Sequence, residues 1–187
     1  MNERQENIIE AAVRLFSRYG VRRTSMNDIA AEAGIARQTL YNAFSNKDEV
    51  LRATIRLFSD RAQAAIDAGL EETEDLGERL DVIFRHVAVE PFDLLNASPN
   101  SEDIVAGFNA SSQRELAAAA ERNRAVIARV LEPSRSAVEK SGLTLHQFSD
   151  FVQRAAAGAK HTASSRRHLL RLLSALKVAV LKVADGA

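Results

Sequence analysis

Apolar positions recur along this chain at three- and four-residue intervals and nowhere alternate as a half-buried strand requires, so the pattern predicts helices throughout. Ile8, Ala12, Leu15, Phe16 and Tyr19 form a first stripe, which Gly20 stops. Ser25 to Ala33 reads as a short helix: Ser25 caps it, Asp28 completes a capping box, and Ile29 and Ala33 lie one turn apart. Gly34 supplies the left-handed conformation that ends it, and Ile35 anchors the turn in a small core. A second short helix follows at once, with Leu40 and Phe44 as its buried pair.

Downstream, Asp48 to Ala68 continues as a helix with Val50, Leu51, Ile55 and Phe58 facing inward and Gly69 at its end. A helix from Leu76 to Val89 is expected to break at Pro91, and a short piece, Phe92 to Asn96, is bounded by Pro99. Glu102 to Leu131 forms the next stretch, interrupted by Pro133. Thr144 to Ala159 carries Phe148, Phe151, Val152, Ala155, Ala156 and Ala159 on one face, and Ser165 to Val183 carries Leu169, Leu173, Leu176, Val180 and Val183. The fold class is therefore all-α: an N-terminal three-helix helix-turn-helix domain, residues 1–47, joined to a larger helical domain, residues 48–187.

The second helix of the motif leaves Arg37, Gln38, Thr39, Tyr41 and Asn42 facing outward, and no acid lies between Glu32 and Asp48. Arg37 and Gln38 can form paired hydrogen bonds to purine edges; Thr39, Tyr41 and Lys47 have the reach to hold phosphate oxygens. A merely solvated face has the same periodicity, so the missing acids are what favour DNA. The formal net charge is +0, and acids gather elsewhere, as in Glu71, Glu72, Glu74 and Asp75. With no cysteine, disulfides, thiolate metal sites and cysteine nucleophiles are excluded. The charged N-terminus lacks the apolar run of a signal peptide, and no segment approaches the roughly 20 apolar residues of a membrane span. A soluble cytoplasmic protein without cofactor or membrane partner is expected. His86 and Glu90 make a poor metal site, His161 and His168 are scattered, and no metal is expected.

Thr24 to Lys47, TSMNDIAAEAGIARQTLYNAFSNK, resembles the DNA-binding signature of the tetracycline-repressor (TetR) family, through Ile29-Ala30, Ala33-Gly34-Ile35, Thr39-Leu40-Tyr41, Phe44 and Lys47 in uninterrupted register. The resemblance implies that Arg37 and Gln38 approach bases, that Thr39, Tyr41 and Lys47 bind phosphate, and that Asn42 lies at the groove wall. Asn27 could reach a base or phosphate, or be an exposed helix-start residue. Thr24 is a cap or a phosphate contact, Ser25 beside it is counted among the DNA-binding residues, and the Tyr41 ring can pack while its hydroxyl binds phosphate. Many members carry Tyr or His at the position of Ala43, whose methyl cannot make that contact.

The resemblance further implies that residues 1–47 are a DNA-binding domain and residues 48–187 a ligand-binding and dimerisation domain, in a homodimer on a palindromic operator in double-stranded DNA. Its final two helices would pair with their mates through Phe151, Ala155, Ala159, Leu169, Leu173, Leu176 and Val180. It also implies a small-molecule effector, for which Phe84, Phe92, Phe108 and Phe148 could line an apolar pocket with His86 or Asn109 as polar contact. The expected function is a sequence-specific transcriptional regulator, repressor rather than activator, and not an enzyme. Two rivals remain: a helical ligand-binding or interaction protein without DNA binding, and a helical enzyme using His86, Glu90 and Asp93 as acid-base groups.

Overall fold

Capping chemistry sets where the first helices begin. In the computed structural model, which describes residues 2–100, 103 and 109–186, every regular element is helical. Asn2 accepts the Gln5 amide and opens α1 (Glu3–Tyr19); Ser25 accepts the Asp28 amide and opens α2 (Met26–Glu32). Helix α3 (Arg37–Ala43) is followed by α4 (Lys47–Glu71), whose start is capped by Asn46 through the Glu49 amide. Ile8, Ile9, Leu15, Phe16, Ile29, Leu40 and Phe44 form one core with Val50, Leu51 and Leu57 of α4. The inward face of α4 thus runs through 50, 51, 54 and 57; Phe58 and Tyr19, both expected inside, are exposed.

Two compact units result. One takes in residues up to Asp60 together with Leu95–Ala118; the other comprises Arg61–Leu94 and the chain from Ala119 onward. The sequence places a boundary at residue 47, but Val50, Leu51 and Leu57 complete the N-terminal core, so the first half of α4 belongs to that unit.

In the second unit α4 continues past the expected stop. Gly69 lies inside the helix, where a Cβ would come 2.7 Å from Val82 Cγ1, so it serves close packing rather than termination. Asp75 caps α5 (Leu76–Phe84), which passes into a π-helical turn at Arg85–Val89 and then α6 (Glu90–Ala97). Pro91 does not break this run: the widened turn precedes it and moves the carbonyl its ring would strike. After Asn109, whose carboxamide oxygen accepts the amides of Ser111 and Ser112, come α7 (Ala110–Leu131), a 3-10 turn, and α8 (Arg135–Lys140). The expected start of that stretch at Glu102 lies outside the described residues. Thr144 caps α9 (Leu145–Thr162) and Ser165 caps α10 (Arg166–Asp185).

The core of this unit absorbs several residues expected at functional surfaces. Phe84, Phe92 and Phe148 are packed into it with exposures of 3, 7 and 3%; Phe92 and Phe148 fill space, while Phe84 also reaches the floor of a surface groove. Asn109 is a helix cap in the other unit, His86 Nδ1 lies 2.8 Å from Glu90 Oε2, and Phe108 lies outside the described residues. Leu169, Leu173 and Val180 point inward at 0, 5 and 0% exposure, and Leu176 and Ala159 pack against the same core, so none of these is free for a partner. Phe151 is open to solvent at 56%, with Ala155 half-buried beside it. Among the described residues no helix is long and apolar enough to cross a membrane.

Candidate nucleic-acid interface

The turn between α2 and α3 is built from three backbone features. Ala33 ends α2, Gly34 adopts φ +66°, and the amides of Gly34 and Ile35 reach back to the carbonyls of Ala31 and Ala30 at 3.1 and 3.0 Å. This pattern fastens the last carbonyls of α2 while reversing the chain, and it needs a residue tolerant of positive φ at position 34. Helix α3 then buries Leu40 completely and leaves its other side to solvent. Burying that leucine contributes about 2–3 kcal/mol, the main tie of so short a helix to its base.

The outward side chains are organised in pairs. Gln38 Nε2 donates to Asn42 Oδ1 at 2.9 Å, and the Arg37 guanidinium lies 5.3 Å from the centre of the Tyr41 ring. Each pair spans one helical turn, so four of the expected contact residues hold one another in orientation on an exposed surface. Thr39 is half-buried and Asn27 exposed. Ser25 is confirmed as the cap of α2, and its hydrogen bonds, from hydroxyl and backbone amide, hold the Asp28 carboxyl below the usual carboxylate range.

Two expected phosphate contacts have other work here. Thr24 is 3% exposed and its hydroxyl donates to the Gly20 carbonyl at 2.8 Å, so it is neither a cap nor an outward donor. Lys47 turns inward: its Nζ donates to the carbonyls of Val21 at 2.6 Å, Thr24 at 2.8 Å and Arg22 at 3.3 Å. An ammonium has three donors, and all three are engaged with the turn between α1 and α2. Lys47 is therefore a clamp that ties the residue following the recognition segment to the residues preceding α2.

Sequence reasoning missed this clamp, and nothing near position 47 announces carbonyls more than twenty positions upstream. It also missed the junction between α3 and α4, where the Glu49 carboxylate accepts the Ser45 amide and hydroxyl at 2.7 and 2.8 Å and is held below its ordinary range by them. The Asn-x-x-Glu pattern beginning at Asn46 made half of it visible, the Asn46 cap on the Glu49 amide, whereas the carboxylate reaches one residue further back to Ser45. The turn between α1 and α2 is held from another side as well: Asp103 accepts the Arg22 amide at 3.1 Å, and Asn100 Nδ2 donates to the Arg18 carbonyl at 2.7 Å. Gly20 holds φ +85°, which favours glycine, and a Cβ there would also displace the Asp103 carboxylate from the Arg22 amide.

Of the three residues His86, Glu90 and Asp93, His86 Nδ1 lies within hydrogen-bond distance of Glu90 Oε2, and the Asp93 carboxylate accepts the Arg166 Nε at 3.2 and 3.1 Å in an ion pair.

Comparison with known proteins places this geometry. Residues 8–54 match the model of bacterial regulatory proteins, tetR family. The HTH-type transcriptional repressor KstR2 of Mycobacterium tuberculosis is 33% identical over 84 residues, 45% of this chain. The chain spans only 42% of the length of that relative. The nicotine-responsive repressor HdnoR of Paenarthrobacter nicotinovorans is 28% identical over 121 residues, 65% of this chain and 56% of its own. The crystal structure of a candidate TetR-family transcriptional regulator from Rhodococcus sp. superposes with a TM-score of 0.72 at 21% identity, covering 95% of this chain and 98% of the other, which shows a common fold.

Proposed function

Because this chain belongs to the tetR family of bacterial regulatory proteins, we propose that it is a sequence-specific DNA-binding transcriptional regulator, of repressor type, whose grip on a palindromic operator responds to a small molecule. TetR-family regulators bind DNA and typically act as dimers with small-molecule effectors. The observation that carries the reading is the acid-free, outward face of α3, where Arg37, Gln38, Tyr41 and Asn42 stand preorganised above a buried Leu40. Arg37 and Gln38 read base edges, while Thr39 and the Tyr41 hydroxyl hold phosphate. Asn42 steadies Gln38, and Lys47 and Ser25 keep the frame rather than touch DNA.

The dimer is formed through Phe151 and Ala155 of α9 with the exposed Ala175, Val178 and Ala179 of α10, the side opposite the inward leucines. Two recognition helices then lie about 34 Å apart, one turn of DNA. A nicotine-responsive repressor among the relatives supports an effector in principle, without saying which.

Selecting bound sequences from a random DNA pool, then measuring affinity for the winner across a salt series, tests the reading. Recovery of a palindrome whose affinity falls steeply with salt is expected. Failure to enrich any sequence, from protein that mass spectrometry finds free of small molecules, would overturn it.

A further inference from the structure

The π-helical turn that replaces a break at Pro91 forms one wall of a groove in the C-terminal unit, and α10 forms the other. Its volume, about 370 Å³, falls within the roughly 300–1,000 Å³ of small-molecule sites. Ion pairs stand at its ends: Lys177 Nζ with Asp81 at 2.7 Å, and Arg166 with Asp93 at 3.1 Å. Between them the floor is apolar, built from Phe84, Val89 and Leu173, with Leu170 rising beside it at 42% exposure.

Arg85 opens the π turn. The Glu90 amide bonds back to its carbonyl, and this five-residue step stacks positions 85, 89 and 90 along the groove wall, all three among its lining. Among the described residues Arg85 has no hydrogen-bond or ion-pair partner, whereas the other two cations of the groove are each held by an aspartate. A planar guanidinium left free beside an apolar floor fits a carboxylate bidentately. The acids of the rim, Asp81, Glu90 and Asp93, restrict the ligand to a single negative charge, because a phosphate dianion would meet them as well.

We propose that this groove binds a small monocarboxylate with an apolar tail, the carboxylate on Arg85 and the tail over Phe84, Val89 and Leu173. The proposal deepens the effector reading given above by naming the chemical class. Because it is tested without DNA, its failure and the failure of the operator reading are separable.

The probe is 4-phenylbutyrate, titrated calorimetrically into the full-length protein, with 4-phenylbutanol as the uncharged counterpart. One saturable site per chain is expected, with the alcohol at least about tenfold weaker. Arg85→Met should weaken the acid about tenfold or more while leaving the alcohol unchanged, and Leu170→Glu, which adds a carboxylate at an exposed position, should abolish acid binding. Circular dichroism melts establish that both variants fold, and Arg171→Met, an exposed cation of α10 outside the groove lining, serves as the charge control. No saturable binding by the parent protein, equal affinity for acid and alcohol, or binding unaffected by Arg85→Met would each overturn the proposal.

Discussion

Lys47 is where sequence and structure assign one side chain to different tasks, and the two assignments are separable by experiment. As a phosphate ligand, its loss would flatten the dependence of DNA affinity on salt by about one charge. As a clamp on three carbonyls, its loss should instead cost roughly 2–3 kcal/mol of stability and leave that slope unchanged wherever the protein remains folded. Urea denaturation and fluorescence anisotropy on Lys47→Met therefore decide the matter, and the clamp predicts the second outcome. Gln38 offers a complementary test. Gln38→Ala should relax preference at one base pair by about 1–3 kcal/mol of discrimination, with the change visible in a repeated selection. Because Asn42 loses its partner in the same variant, Asn42→Ala should produce a smaller loosening at that same position.

At the scale of elements, the short helices depend on their ends more than on their length. Gly34→Ala meets no atom within 4 Å, so its entire cost is that of holding φ +66° with a Cβ, about 1–2 kcal/mol; Gly34→Asn should lose less. Chemical denaturation followed by far-ultraviolet circular dichroism measures both. The caps also predict a pH response. Asp28 and Glu49 are held below the ordinary carboxylate range, first by Ser25 and Ser45 respectively, so their contribution is complete at neutral pH and disappears as pH falls through those lowered values. An acid melt should therefore loosen the N-terminal unit, and Ser45→Ala should move that transition toward higher pH. These elements also show what the sequence could reveal. Caps and turns were legible because each is written within a few residues: Ser25 with Asp28, Gly20, Gly34. The π turn was not, because a proline at 91 reads as a break unless the widened turn ahead of it is known. Phe92, Phe148 and the inward leucines of α10 pack inside the chain, which was hidden for another reason. Periodicity identifies an apolar stripe but not whether its neighbour is this chain or a second one, and only the packed core tells Leu169 from Phe151.

For the whole molecule, two copies are needed before two α3 helices can address one operator. Phe151→Glu alters a residue already 56% exposed, so each chain should keep its fold while the assembly dissociates. Light scattering after size-exclusion chromatography should then report half the mass of the parent, with operator affinity falling by more than any single α3 substitution causes. An unchanged mass would place the interface elsewhere. The clamp at Lys47 has a consequence at this scale too. It grips only carbonyl oxygens, which every amino acid offers, so the exposed side chain at 22 can drift without loosening it, while Val21 and Thr24 are fixed by their own burial and not by the clamp. The frame that aims the reading helix is in that sense indifferent to sequence, and the outward positions at 37, 38 and 42 can be exchanged against a constant mount. Descendants of such a chain could acquire new operators by changing three letters, and a designer could retarget it the same way.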